Sequence, residues 1–390
     1  MQKTKLVIAV FLYCHGIVAQ VASLPMKMTK DGHTFIRVAV DNSKPLHFVF
    51  DTGATADVLD SIAAQKLGVK SNFEQAVQGA SGSEVYHMAT GHTLNYASGV
   101  TLDDTTFVLK DMSNLNQAFG VQIDGITGYS LLNKYVTKLD YEQSRLTLYK
   151  TIEAVDLTGF KKVKFKFSEG IPIPLVPVEF TLSSGLTFNG DVLFDSGAGM
   201  TLLVNSPFAK SHKLAKKAGR SLVKKSEGLG NEMTSEKIRI HSLKFGPYAF
   251  EAMPIALSHS EAGVTAMKGF MGIVGAKIIQ RFTIVLDYKN QYMYLKPNSW
   301  YSKAFDFPLS GISLRKKEGK IMVNYVDLQA PVYKKGLRKG FEIVAINDDD
   351  SRNLVAYELL LRKEGSEVLI EYINEAQERK KIKVRLVKLL

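Results

Sequence analysis

Two short stretches of this chain repeat one another. Phe48-Val49-Phe50-Asp51-Thr52-Gly53-Ala54 and Val192-Leu193-Phe194-Asp195-Ser196-Gly197-Ala198 each run an apolar strand into Asp, a small hydroxyl residue, Gly and Ala. The two acids stand 144 positions apart (195 − 51), room for one compact lobe per copy. A single Asp-[Thr/Ser]-Gly reads equally well as a surface turn. Two copies in the same context point to a duplicated fold that brings one carboxylate from each half to a shared seam.

Other landmarks recur in the same order. Gly125-Ile126-Thr127-Gly128 is echoed by Gly272-Ile273-Val274-Gly275 at an offset of 147 (272 − 125), and Lys138-Leu139-Asp140-Tyr141 by Val285-Leu286-Asp287-Tyr288 at the same offset (287 − 140). Internal duplication accounts for this most simply. Within the first copy, Thr34 to Val40 and Pro45 to Phe50 read as a hairpin that delivers Asp51. Asp60 reads as the cap of a helix over Ser61 to Leu67, stopped by Gly68. Thr101 to Lys110 reads as strands around an Asp103-Asp104 turn. In the second copy Ile173 to Leu182 and Thr187 to Phe194 deliver Asp195, and Ser206 caps a helix with Pro207 in its first position. Glycine-rich tips at Gly79-Ala80-Ser81-Gly82 and Gly228-Leu229-Gly230 occupy matching places, each either a plain turn or a lid over a cleft.

The expected organisation is mainly β. It has a signal peptide over 1–23, an N-terminal lobe over 24–155, a C-terminal lobe over 156–300, a linker near Pro297 to Asp306, and a smaller unit over 305–390. The leader rests on Lys3 and Lys5 ahead of the apolar run Leu6 to Tyr13, with small residues near Ile17-Val18-Ala19. Export to a periplasm or to the outside follows as an expectation.

The only cysteine, Cys14, falls in that leader, so a disulfide scaffold, a zinc–thiolate site and thiol catalysis are all excluded from the mature chain. The eight histidines show no His-Glu-x-x-His spacing, and no Gly-x-Ser-x-Gly elbow or phosphate loop occurs. The formal charge is +12, and Lys210, Lys213, Lys216, Lys217, Arg220, Lys224 and Lys225 cluster. With no aromatic residues interleaved, the cluster reads as a solvated face, and no nucleic-acid partner is expected.

Two carboxylates held about 3 Å apart cannot both ionise cheaply, so they share a proton and titrate in two steps. Between those steps the ionised member can take a proton from water while the protonated member polarises a carbonyl. Thr52 and Ser196 carry hydroxyls able to bond across to the partner lobe's backbone. Gly53 and Gly197 allow a tight turn with the backbone close to substrate.

At these residues the chain resembles the pepsin and retropepsin-like aspartic peptidases, over roughly Thr34 to Pro297. The resemblance implies a bilobal acid-protease fold of two pseudo-symmetric β lobes, with Asp51 and Asp195 as the catalytic pair. It implies Thr52, Gly53, Ala54, Ser196, Gly197 and Ala198 as the supporting loops, and Ile126-Thr127-Gly128 and Ile273-Val274-Gly275 as the later family element, the polar Thr127 departing from the pattern. Such enzymes cut extended peptides with an activated water and imply neither metal nor organic cofactor. Two full lobes imply that one chain suffices, so a monomer acting on a peptide or protein substrate is expected. Ala54 and Ala198 stand where pepsin carries a hydroxyl residue, which predicts a less acidic optimum, since the anion has fewer hydrogen bonds. Tyr86 is the nearest candidate for the flap tyrosine.

The C-terminal segment resembles a PDZ domain. Ser310-Gly311-Ile312-Ser313-Leu314 is similar to its carboxylate-binding loop and strand, and Ala330-Pro331-Val332 with Lys335 to Ile343 is similar to its middle motif. The resemblance implies a C-terminal peptide ligand added to an open sheet edge. Three functions therefore compete: an exported aspartic endopeptidase whose PDZ domain recruits substrate, a non-catalytic peptide-binding protein using the same cleft, and a basic surface-binding adhesin.

Overall fold

A computed structural model describes residues 20–29, 32–79, 82–168, 170–227 and 232–390. The glycine-tip residues Ala80-Ser81 and Gly228-Leu229-Gly230, and residues 1–19 of the expected leader, lie outside them. Strand accounts for 49% of the chain and helix for 15%, and the strands form two six-stranded barrels.

The barrels share one wiring. In the first, Thr34–Val40 pairs with Leu46–Phe50, then Gly125–Thr127, Asp57–Asp60, Val100–Lys110 and Gly82–Tyr96, which closes back on Thr34–Val40. In the second the order is Ile171–Leu182, Thr187–Asp195, Gly272–Gly275, Leu202–Val204, Tyr248–Ser258 and Glu232–Phe245, which closes on Ile171–Leu182. In both, the strand that ends in Asp runs parallel to the later Gly-x-x element, with Phe48 against Gly125 and Val192 against Gly272. Closure buries the inward-facing apolar residues, among them Phe48, Phe50, Phe107, Phe180, Phe194 and Phe245. It also leaves no open edge within each barrel.

A six-stranded antiparallel sheet joins the lobes, in the order Gln20–Pro25, Arg145–Tyr149, Val136–Asp140, Phe282–Asp287, Tyr292–Pro297, Lys161–Lys164. Its central pairing sets Thr137 against Leu286, Lys138 against Val285 and Leu139 against Ile284. Lys138 thus faces its own duplicate, 147 positions on (285 − 138), and the pseudo-twofold axis passes through that pair. The first strand includes Gln20 to Ser23, inside the expected leader, and buries Ala22 and Leu24.

Three local expectations are corrected. Val100–Lys110 is one strand, bent where Asp104 takes φ +54° and Thr105 Oγ1 donates to Leu102 O, so Asp103-Asp104 make a bend rather than a turn. The helix after Asp195 begins at Ser206, so Asn205 and not Ser206 holds the N-cap position, with no side-chain bond to the helix. Asn205 is wedged in place by donating to Met267 O and Phe270 O, while the Ser206 hydroxyl bonds Ser260 O. That helix ends at Ser211 and a second runs Leu214–Ala218, because Lys213 takes φ +53° between them. Asp60 does cap Ser61–Leu67, accepting from Ala63 N, and Gly68 ends it at φ +73°.

Residues 298–309 lie along the second lobe. The buried Arg281 guanidinium donates to Trp300 O, Tyr301 O and Lys303 O and stacks on Phe305. Beyond them, Ile312–Lys317, Lys320–Val326, Glu342–Ile346, Glu367–Ile373 and Arg379–Arg385 form a five-stranded antiparallel sheet. The helix Leu354–Leu360 packs beside its edge strand, and the unit has its own core around Ile321, Leu337, Tyr357 and Ile370. Leu222, from the edge strand Ser221–Glu227 of lobe two, is buried in that same core, and the lobe-one helix Ser113–Phe119 lies against the edge strand Ile312–Lys317.

Candidate active site

Each acid stands where an apolar strand ends. Phe48, Val49 and Phe50 are buried, as are Val192, Leu193 and Phe194, so both strands are pinned and only the residues beyond them reach the seam. Asp51 N donates to Thr127 O at 2.9 Å, tying the first loop to the later element. Ala54 O accepts Tyr129 N at 3.0 Å, and Ala198 O accepts Ala276 N at 2.8 Å in the second lobe. Gly128 must be glycine, since a Cβ there would lie 1.9 Å from Asp51 O.

The structure brings Asp51 and Asp195 together. One backbone group, Gly197 N–H, reaches Asp51 Oδ1 at 3.1 Å and Asp195 Oδ1 at 2.9 Å, and Gly53 N–H donates to Asp51 Oδ1 at 2.7 Å. The Asp195 carboxyl is pushed well above the ordinary carboxylate range. Burial is the largest cause, followed by the charge of Asp51 and the hydrogen bond to it, with the N–H groups of Gly197 and Ala198 pulling the other way.

The loops are locked crosswise. Thr52 Oγ1 donates to Phe194 O at 2.9 Å and accepts Ser196 N–H at 2.9 Å. Ser196 Oγ accepts Thr52 N–H at 3.0 Å and lies 3.5 Å from Phe50 O. Both hydroxyl residues are 1% exposed, so the bonds are shielded from competing water.

Behind the dyad sits Tyr288, 3% exposed, whose hydroxyl has no hydrogen-bond partner among the described residues. Burial, then the charges of Asp51 and Asp195, push its phenol up. Tyr86 is buried against the sheet of lobe one, and Lys110 Nζ donates to its hydroxyl at 2.6 Å. The basic residues Lys210, Lys213, Lys216, Lys217 and Arg220 are exposed, and the side chains of Lys224 and Lys225 lie outside the described ones. Ser310 to Leu314 lie in the C-terminal unit, where Ser310 Oγ accepts Ile312 N–H and Gly311 O accepts Asp327 N–H.

Sequence reasoning passed over Asp57 and Tyr96. The one available signal was Thr127, a polar residue in an apolar slot. Among the described residues no group of three or more His, Cys, Asp or Glu is placed to hold a metal.

The site is thus two carboxyls from two similar loops that share one backbone N–H. Residues 36–131, which contain Asp51 and its whole loop, match the family model described as Aspartyl protease. The match supports an aspartyl protease and, with it, peptide hydrolysis. No curated protein matches the chain.

Proposed function

We propose that this chain is an aspartic endopeptidase in which Asp51 and Asp195 activate a water between the two lobes. The carrying observation is that the one N–H of Gly197 reaches both Asp51 Oδ1 and Asp195 Oδ1, with burial and Asp51 raising the Asp195 pKa so that the pair holds a proton. In that state Asp51 serves as the base that takes a proton from water, and Asp195 donates toward the scissile carbonyl oxygen. As the water oxygen bonds the carbonyl carbon, a neutral gem-diol forms with Asp51 protonated and Asp195 ionised. Asp51 then gives its proton to the nitrogen as the C–N bond breaks, and Asp195 takes one back from a gem-diol hydroxyl, which restores the starting state. Both acids come from one chain, so a monomer suffices.

The C-terminal unit fits a PDZ-type module. Its edge strand Ile312–Lys317 lies beside the helix Leu354–Leu360, on which Val355 and Leu359 remain exposed, and a peptide strand would join that edge next to the lobe-one helix Ser113–Phe119. In this reading the module recruits or positions substrate. Among the described residues no helix is long and apolar enough to cross a membrane. We infer export, with the leader cut before Gln20, because a cut after Ser23 would remove most of a strand that buries Ala22 and Leu24. N-terminal sequencing of secreted material checks it: a mature end at Leu24 would overturn that boundary.

Peptide cleavage by the purified protein, with and without pepstatin, tests the activity. Asp51→Asn and Asp195→Asn should each abolish it; retained cleavage in both overturns the dyad, and peptide binding without cleavage by the wild type leaves only a peptide-binding cleft.

A further inference from the structure

The two barrels are near copies, which makes each an internal control for the other. Phe50 pairs with Thr127, and Val58 with Ile126, which places Asp57 directly opposite Thr127. The matching row in lobe two is Phe194, Val274 and Leu202. Above these rows, Tyr96 faces Val38 in lobe one, and Phe245 faces Val178 in lobe two. So where lobe two has Leu202, Val274 and Phe245, all at most 1% exposed, lobe one has Asp57, Thr127 and Tyr96, all at most 4% exposed.

In the polar set Tyr96 OH lies 2.9 Å from Thr127 Oγ1, Thr127 stands close enough to the Asp57 carboxyl to favour its ionised form, and Ser130 Oγ donates to Asp57 Oδ1 at 2.9 Å. Its middle member is the residue whose carbonyl holds Asp51 N–H. Lobe two shows that the barrel closes with an apolar row, so closure alone does not require the polar one.

We propose that Asp57, Thr127 and Tyr96 are positioning residues that clamp Thr127 and thereby hold the Asp51 loop from behind, a device that the Asp195 loop lacks. The proposal rests on the peptidase reading for its kinetic consequence, but the clamp is a property of the fold. The Thr127 side chain is bonded by Tyr96 from across the barrel and faces Asp57 on the adjacent strand, and Thr127 passes that restraint to Asp51 through one backbone bond. A fixed Asp51 keeps its carboxylate in line with the partner acid, where small displacements cost rate steeply. Burial pushes the Asp57 carboxyl up, against the bonds from Thr127 and Ser130. Asp103, Asp104 and Lys134 line the surface depression of about 510 Å³ beside it.

The test gives lobe one the residues of lobe two, in the full-length mature chain. Thr127→Val removes one hydroxyl at constant shape, and the triple variant Asp57→Leu, Thr127→Val, Tyr96→Phe copies the whole apolar row. For each, kcat should fall about tenfold while KM stays within about twofold. Amide exchange across Asp51 to Ala54 should quicken about tenfold, with Asp195 to Ala198 unchanged. Wild-type kcat and wild-type exchange in a folded Thr127→Val overturn the clamp, as does an equal quickening of both loops, which marks general loosening. If the wild-type chain cleaves no peptide, the peptidase reading fails by itself, and the difference in exchange between the two loops still decides the clamp.

Discussion

The backbone N–H of Ser196 donates to Thr52 Oγ1 at 2.9 Å while the backbone N–H of Thr52 donates to Ser196 Oγ at 3.0 Å. Each lobe thus satisfies a buried donor of the other, so the dyad geometry and the lobe contact are one interaction. Thr52→Val should leave Ser196 N–H and Phe194 O unpaired, at roughly 1–3 kcal/mol each. Thermal unfolding should show a clear loss of Tm and peptidase assays a fall in kcat, with Thr52→Ser restoring most of both.

Gly53 and Gly197 have no room to grow. A Cβ on Gly53 would lie 2.6 Å from Asp195 Cγ, and one on Gly197 would lie 2.3 Å from Asp51 Cγ. Gly53→Ala should therefore push the carboxyls apart and cost about a hundredfold in kcat. Circular dichroism should remain that of the wild type, since the obstruction is a side chain at the cleft; unimpaired turnover would mean the acids sit further apart than the structure places them.

The raised pKa of Asp195 has a sign for stability. The folded state keeps a proton that the unfolded chain releases near 3.8, so this group's contribution is complete below that value and is lost as pH rises through the folded pKa. Tm plotted against pH should decline less steeply over that window in Asp195→Asn. The same protonated acid should place the activity maximum above pepsin's, and a kcat/KM profile peaking near about pH 2 would contradict it.

Leu222 belongs by sequence to lobe two and by packing to the C-terminal unit, where it is 4% exposed. Burying a leucine is worth roughly 1.5–3 kcal/mol, enough to decide whether the two bodies stay together. Leu222→Lys should free the unit without unfolding it. Limited trypsin digestion should then cut faster in the connecting segment, at Lys303, and release an intact C-terminal fragment.

The repeat was legible because each copy must end an apolar strand at its acid. The pairing of Lys138 with Val285 is the physical form of the constant offset that the sequence displays. The helix caps were harder. Ser206 and Asn205 both suit an N-cap by residue type; the structure puts Asn205 there and bonds its amide to the carbonyls of Met267 and Phe270, a contact no local pattern shows. The bend at Asp104 was misread as a turn because one residue in the left-handed region bends a strand without ending it. Thr127 looked like a blemish in its motif for a similar reason: its partners, Asp57 and Tyr96, are distant along the chain.

From the sequence alone came the two acids, their hydroxyl and glycine neighbours, the duplication and the separate C-terminal segment. These are readable because strand alternation, turn chemistry and repetition are local or periodic. The tertiary structure alone decided that the acids share one N–H, that burial and the neighbouring Asp51 raise the Asp195 pKa, that lobe one has a polar row where lobe two has an apolar one, and that Leu222 fastens the last unit to the lobes. Each of these depends on burial and on contacts between residues far apart in the chain, and neither is written in residue order.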